Sequence, residues 1–231
     1  MIDFLQNPVF LLALTFVLYF GAIYIQKKFN SALLNPVLLT SIVLITYLLC
    51  FNISHKKYEE AGTYIEFWLK PSIVALGVPL YLQLSKIRKQ LVPLLVSQAV
   101  GSLVGIVSVC LLAKAFGLDN ELAESLAPKS VTTPIALEVS KMVHGDPPIT
   151  VMAVITTGLF GNIFGLTLLR WFRIKSPMGK GISLGTASHA LGVVAAFNLS
   201  EKYAVYASLG MIFNGIFTAI LAPTAVHLLF S

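Results

Sequence analysis

The chain has 231 residues, of which 57% are hydrophobic and 11% are charged, and its formal net charge is +6. Soluble globular proteins carry about 25% charged residues, so this composition excludes a soluble protein and indicates an integral membrane protein. The basic residues lie in short loops between apolar runs, where membrane topology places Lys and Arg. A nucleic-acid-binding function is therefore not expected.

Six apolar runs are long enough to cross a bilayer, which takes about 20 residues in a helix. Five qualify directly: Pro8–Ile25, Ala32–Phe51, Pro93–Ala113, Pro148–Leu169 and Tyr203–Phe230. The sixth, Phe67–Leu84, qualifies despite the helix-breaking Pro71 and Pro79. We predict a single transmembrane domain over residues 1–231, with N-terminal helices in 1–120 and two further helical units in 121–231.

The segment Leu126–Glu138 lies among these runs but differs from them in chemistry. It contains Pro128 and Pro134, six residues apart, and charged and hydroxyl side chains. Prolines interrupt the helical hydrogen-bond ladder, and lipid tolerates such a break only where it is buried in protein or lines a water-filled cavity. The segment is therefore predicted to form part of a site.

Loop charges predict how this segment crosses the membrane. If the N-terminus is outside, the basic residues that follow the first helix lie inside and the acidic loop 119–124 lies outside. The densest basic cluster, in 170–180, lies inside only if residues 124–147 enter and leave on the outer side. This predicts a re-entrant or broken hairpin followed by a spanning helix.

A second unusual segment, Gly181–Gly192, is dominated by small residues, which mark close backbone approach in membranes. If it is re-entrant from the inside, broken near Gly185 and Gly192, the two halves form an inverted repeat of hairpin plus helix, an architecture of many secondary transporters. The predicted fold is thus all-α, with six full spans and two re-entrant segments. The alternative is eight spans, because 181–200 has no charged residue and could cross.

A small carboxylate is the ligand that suits the broken segments. Half-helix N-termini favour anions, Lys129 adds a positive charge, and hydroxyl groups add neutral donors. The alternatives are that the hydroxyls only cap broken ends and that Lys129 extends to the interface. The candidate binding residues are Lys129, Ser130, Thr132, Thr133, Thr186, Ser188 and His189.

Three further polar residues are candidates for coupling or gating. Glu138 is either a coupling-ion or proton site or a residue paired with Lys141 near the interface. Asn162 and Asn214 lie in the two halves and are predicted to hydrogen-bond across the repeat interface or to serve packing. The sequence carries no catalytic or metal-binding motif, so neither an enzyme nor a metal or cofactor is predicted.

The stretches Pro128–Ala136 and Gly185–Gly192 resemble the two signature stretches of the LrgB/CidB family of bacterial inner-membrane proteins. Leu34-Asn35-Pro36 and the segment 74–83 also fit, so the resemblance covers nearly the whole chain. It implies one of two functions, of which the predicted anion site favours the first, so a secondary transporter is predicted and the other function is the alternative. One is transport of small monocarboxylates of the glycolate, glycerate, pyruvate and lactate class; the other is holin/antiholin-like control of murein hydrolase activity and lysis.

The resemblance also implies a small LrgA/CidA-type membrane partner and a multi-pass location in the bacterial inner membrane. A homo-oligomer is also predicted. The chain departs from the family pattern at Asn198, where an acidic residue is common, and in 204–210. If that acid couples protons or cations to transport in relatives, the uncharged Asn198 does not supply this coupling here.

Overall fold

Helices and their connections make up all of the chain that the computed structural model describes, which is residues 5–29, 34–68, 71, 74, 77–82, 88 and 90–230. The helices are α1 (Pro8–Phe29), α2 (Pro36–Cys50), α3 (His55–Glu66), α4 (Gly77–Leu82), α5 (Leu91–Ala115), α6 (Asn120–Leu126), α7 (Thr133–Met142), α8 (Pro147–Trp171), α9 (Pro177–Phe197) and α10 (Glu201–Phe230). The predicted all-α class is confirmed.

Four of the six predicted spans are helices long and apolar enough to cross a membrane: α1, α5, α8 and α10. The second predicted span is shorter. Its helix, α2, has 15 residues and begins at Pro36, because the side-chain oxygen of Asn35 accepts the backbone N–H of Val37 at 2.9 Å and proline suits the first helical turn. Of the sixth run, Phe67–Leu84, the structure describes α4, which contains Pro79; most of the remainder lies outside the described residues.

The chain divides into two compact units, residues 1–72 and 73–231. In the first unit, α1, α2 and α3 enclose a small core around Leu11, Ile53 and Ala61. The hydroxyls of Thr15 and Tyr58 lie 3.1 Å apart and join α1 to α3. Of the candidate residues only Pro71, which is exposed, falls in this unit, and the single domain over 1–231 stays a prediction.

In the second unit, α5 and α10 run in the same direction. Near their N-termini Leu94 packs against Leu209, and at their C-termini the Lys114 Nζ lies 3.4 Å from the Leu229 carbonyl oxygen. Helix α8 runs the opposite way, because its last turns pack beside Tyr203 at the start of α10. These three helices frame the two broken segments.

The first broken segment consists of α6, the irregular residues 127–132 and α7. Pro134 lies in the first turn of α7, where proline is tolerated. Thr150 of α8 reaches both sides of the break: its Oγ1 donates to the Ser125 carbonyl at 3.0 Å and lies 2.7 Å from the Ser140 Oγ. A straight helix would separate Ser125 from Ser140 by about 22 Å, so the chain reverses direction between them.

The second broken segment lies within α9, where Ser188 (φ −135°, ψ 17°) and His189 (φ 41°, ψ −131°) are not helical. Leu184 and Ala196 nevertheless share one hydrophobic cluster, although a straight helix would place them about 18 Å apart. A side chain at Gly192 would overlap the Leu184 carbonyl oxygen. The chain therefore folds back here too, and the break lies three residues after Gly185.

Candidate functional site

A cavity of about 590 Å³ lies in the second unit, with walls from α5, α8, α10 and both broken segments. The broken segments contribute Lys129 and Ser130 on one side and Thr186 and Ser188 on the other. The walls are otherwise mostly apolar or glycine, so the few polar groups define what the cavity can bind. Four of the seven predicted binding residues meet here.

Lys129 brings a positive charge into the cavity wall. Its Nζ lies 3.4 Å from the Gly105 carbonyl oxygen and 3.5 Å from the Ser130 Oγ. Within the described residues no carboxylate lies within ion-pair distance of it; the ion pairs there are His55–Glu59 and Lys141–Glu138. Even a partly buried charge is costly without a counter-ion, so this end of the cavity favours an anion.

Asn214 of α10 ties the two broken segments together. Its side-chain N–H groups donate to the carbonyl oxygens of Ser130 and Thr186, both at 3.0 Å. Its Oδ1 accepts from the Ser102 Oγ of α5 at 2.7 Å, so all of its hydrogen-bonding groups have partners from three elements. The sequence analysis predicted either a contact across the repeat interface or a packing role for Asn214, and both stay predictions.

Gln98 was not among the residues singled out from the sequence. It is fully buried in α5, it lines the cavity, and its Oε1 accepts from the Thr186 Oγ1 at 2.9 Å. Its Nε2 has no hydrogen-bond partner in the part of the chain that the structure describes. The available signal was an amide inside an otherwise apolar run, which is rare in spanning helices and usually faces the protein interior.

His189 lies behind the cavity rather than in its wall. Its Nε2 is 3.0 Å from the Val154 carbonyl oxygen; because a carbonyl only accepts, that nitrogen carries a hydrogen. The ring packs so closely on α8 that a side chain at Gly158 would overlap it. Neighbouring Ser188 does line the cavity and occupies the space that a side chain at Gly161 would fill.

The remaining candidates lie away from the cavity walls. Thr132 precedes α7, and its buried Oγ1 has no hydrogen-bond partner within the described ranges; Thr133 is the first residue of that helix. Glu138 is exposed and pairs with Lys141 at 3.1 Å, as in the interfacial alternative. Asn162 donates to the Leu191 carbonyl at 3.0 Å and so holds the segment that follows the second break.

Comparison with known proteins gives one consistent family. The model of the LrgB-like family matches residues 15–228. The chain is 37% identical over 228 residues to the holin-like protein CidB of Staphylococcus epidermidis, covering 99% of each chain. It is 35% identical over 228 residues to the protein of that name in Staphylococcus aureus, again covering 99% of each. It is 38% identical over 212 residues to the uncharacterized protein YwbG of Bacillus subtilis, covering 92% of this chain and 94% of that one.

The resemblance drawn from the two signature stretches is confirmed by these matches. No solved structure matches the chain. The long apolar helices, together with relatives from Staphylococcus and Bacillus, identify a multi-pass protein of the bacterial inner membrane.

Proposed function

Because this chain belongs to the LrgB-like family, we propose that it is a holin-like membrane protein that acts with a small LrgA/CidA-type partner to control murein hydrolase activity and lysis. The observation that carries the proposal is the 37% identity, over 99% of both chains, to a protein named holin-like CidB. The comparisons favour this function over the transport function considered below.

The test is expression in a bacterium that lacks its own members of the family and their small partners. We expect the chain, expressed with such a partner, to increase murein hydrolase activity in gel assays and to accelerate lysis after antibiotic treatment. The partner alone and the chain alone are the controls. Lysis that proceeds at the same rate with and without the pair contradicts the proposal.

The cavity favours a second candidate function, transport of a small monocarboxylate. Its supporting observation is the unpaired Lys129, which lies beside Ser130 in a cavity lined by both broken segments. Reversal of the chain at both breaks agrees with two hairpins that enter the membrane from opposite faces, in addition to full spans. In transporters of this architecture, rocking or gating of one repeat against the other opens the site to one face of the membrane or the other.

Proteoliposomes test this second candidate directly. We expect uptake of labelled glycolate, pyruvate or lactate that saturates with concentration and requires the chain. Empty liposomes and liposomes with the partner alone are the controls. Absence of uptake for every small carboxylate, with or without the partner, excludes transport and leaves the holin-like proposal in place.

A further inference from the structure

The cavity has an incompletely bonded polar group at the end opposite Lys129. Gln98 is fully buried, and its Oε1 lies 2.9 Å from the Thr186 hydroxyl, which also donates to the Ile182 carbonyl at 2.8 Å. Among the described residues, its Nε2 has no hydrogen-bond partner. A buried donor left without a hydrogen bond is destabilising, and native proteins satisfy nearly all such groups with protein, water or ligand. Because Gln98 lines the cavity, a bound molecule that reaches this group with an oxygen would supply the missing hydrogen bond.

The spacing along α5 separates this group from the positive charge. Gln98 and Gly105, whose carbonyl oxygen lies 3.4 Å from the Lys129 Nζ, are seven residues apart and so differ by about 10 Å in height along the helix. Ser102 and Asn214, hydrogen-bonded to each other at 2.7 Å, form the wall between them. The cavity therefore has a charged end at the first break and a neutral, hydrogen-bonding end at the second.

We propose that the cavity is a two-ended site for a small acid whose carboxylate lies at Lys129 and whose uncharged oxygen, at the far end of the carbon chain, hydrogen-bonds to Gln98. Gln98 is thus a specificity-determining residue. A hydroxyl oxygen suits this end because it both accepts and donates, and so matches either half of an amide. This inference rests on the proposed carboxylate transport and specifies which acids the site prefers.

Two acids of equal chain length, propionate and 3-hydroxypropionate, isolate the contact because they differ only in the terminal hydroxyl. For the wild-type chain in proteoliposomes, we expect 3-hydroxypropionate to half-saturate uptake at a concentration about tenfold lower than propionate does. This is the size of effect expected of one hydrogen bond to a polar site. Lactate, whose hydroxyl is adjacent to the carboxylate, should resemble propionate.

The variant Gln98→Met removes the amide and keeps the side-chain length. It is expected to abolish the preference, so that 3-hydroxypropionate and propionate half-saturate uptake at concentrations within about twofold of each other. Gln98→Glu keeps the shape of the side chain and places a carboxylate at the neutral end, so it should weaken uptake of both acids. Ser97→Ala is the matched control, because Ser97 also lines the cavity but its hydroxyl already donates to the Leu94 carbonyl at 2.9 Å.

The possible outcomes distinguish the role of Gln98 in specificity from carboxylate transport itself. Loss of the tenfold preference in Gln98→Met, but not in Ser97→Ala, supports the two-ended site. A preference that persists in Gln98→Met and Gln98→Glu, or its absence in the wild-type chain, overturns the role of Gln98 while transport stands. If the wild-type chain takes up no carboxylate, it is the transport proposal that fails.

Discussion

His189 has a backbone conformation that residues other than glycine rarely adopt, with φ 41° and ψ −131°. Such a conformation costs about 1–3 kcal/mol and persists only where the surroundings enforce it. Here the enforcing contacts are the hydrogen bond to the Val154 carbonyl and close packing on Gly158 of α8. The histidine therefore fixes the reversal of α9, and Ser188 beside it is held in the cavity wall.

The strain at His189 can be separated from the role of its ring. His189→Ala and His189→Gly both lose the bond to Val154, but only glycine relieves the backbone. We expect His189→Gly to be more stable than His189→Ala by about 1 kcal/mol or more, seen as a higher midpoint of thermal unfolding in detergent. Equal midpoints for the two variants would show that the backbone at this position is not strained.

Replacement of Lys129 is expected to weaken carboxylate binding without lowering the stability of the protein. In Lys129→Met the cavity loses its positive charge, so carboxylate uptake should fall by at least about tenfold. The same change removes a partly buried, unpaired charge, so the thermal midpoint should stay the same or rise. The matched control is Lys141→Met, an exposed lysine paired with Glu138, which should leave uptake unchanged. Normal uptake by Lys129→Met would exclude Lys129 from the site.

At the scale of the elements, glycines allow the second hairpin to close. A side chain at Gly185 would overlap the carbonyl oxygen of Ala207 in α10, and one at Gly192 would overlap that of Leu184 in the other arm. Small residues permit such backbone contacts in membranes. The hairpin and α10 thus pack through backbone atoms, and Asn214 can reach the Thr186 carbonyl at 3.0 Å.

This close packing predicts how alanine acts at two glycines of the same unit. Gly192→Ala should destabilise the protein by about 1–3 kcal/mol, because the two arms must separate to admit a methyl group. Gly105→Ala is the control: nothing lies within 4 Å of the new methyl, and alanine favours a helix by up to about 1 kcal/mol. Thermal unfolding in detergent measures the stability of both variants. Equal midpoints for Gly192→Ala and Gly105→Ala would contradict the packing described for the hairpin.

The sequence predicted well those elements whose structure is determined by neighbouring residues in the chain. The runs that became α1, α5, α8 and α10 are continuously apolar, and the prolines of Leu126–Glu138 mark the first break without reference to the rest of the chain. The second break has no proline; Ser188 and His189 leave the helical conformation where they pack against α8, and the local sequence does not indicate that packing. Gln98 was missed because its importance depends on Thr186, 88 residues away in the chain.

At the scale of the whole molecule, the proposed hairpins make a prediction about sidedness. If each broken segment enters and leaves on one face, residues that flank it lie on the same side of the membrane. If each crosses, the flanking residues lie on opposite sides. The exposed residues Glu121, in the first turn of α6, and Pro147, the first residue of α8, mark the two ends of the first segment. The exposed Lys175 and Lys202 flank the second. Both ends of each segment therefore offer sites for a reporter.

Single cysteines at these four positions, in a chain whose Cys50 and Cys110 have been replaced by alanine, report sidedness by reaction with a membrane-impermeant thiol reagent. We expect Glu121→Cys and Pro147→Cys to react from one side, and Lys175→Cys and Lys202→Cys from the other. The pair that flanks α8, Pro147→Cys and Lys175→Cys, should react from opposite sides in either architecture and is the internal control. Because positive charge favours the inner face, the Lys175 side should be cytoplasmic. Opposite reactivity within each flanking pair would establish eight spans and remove the inverted hairpins on which the transport proposal depends.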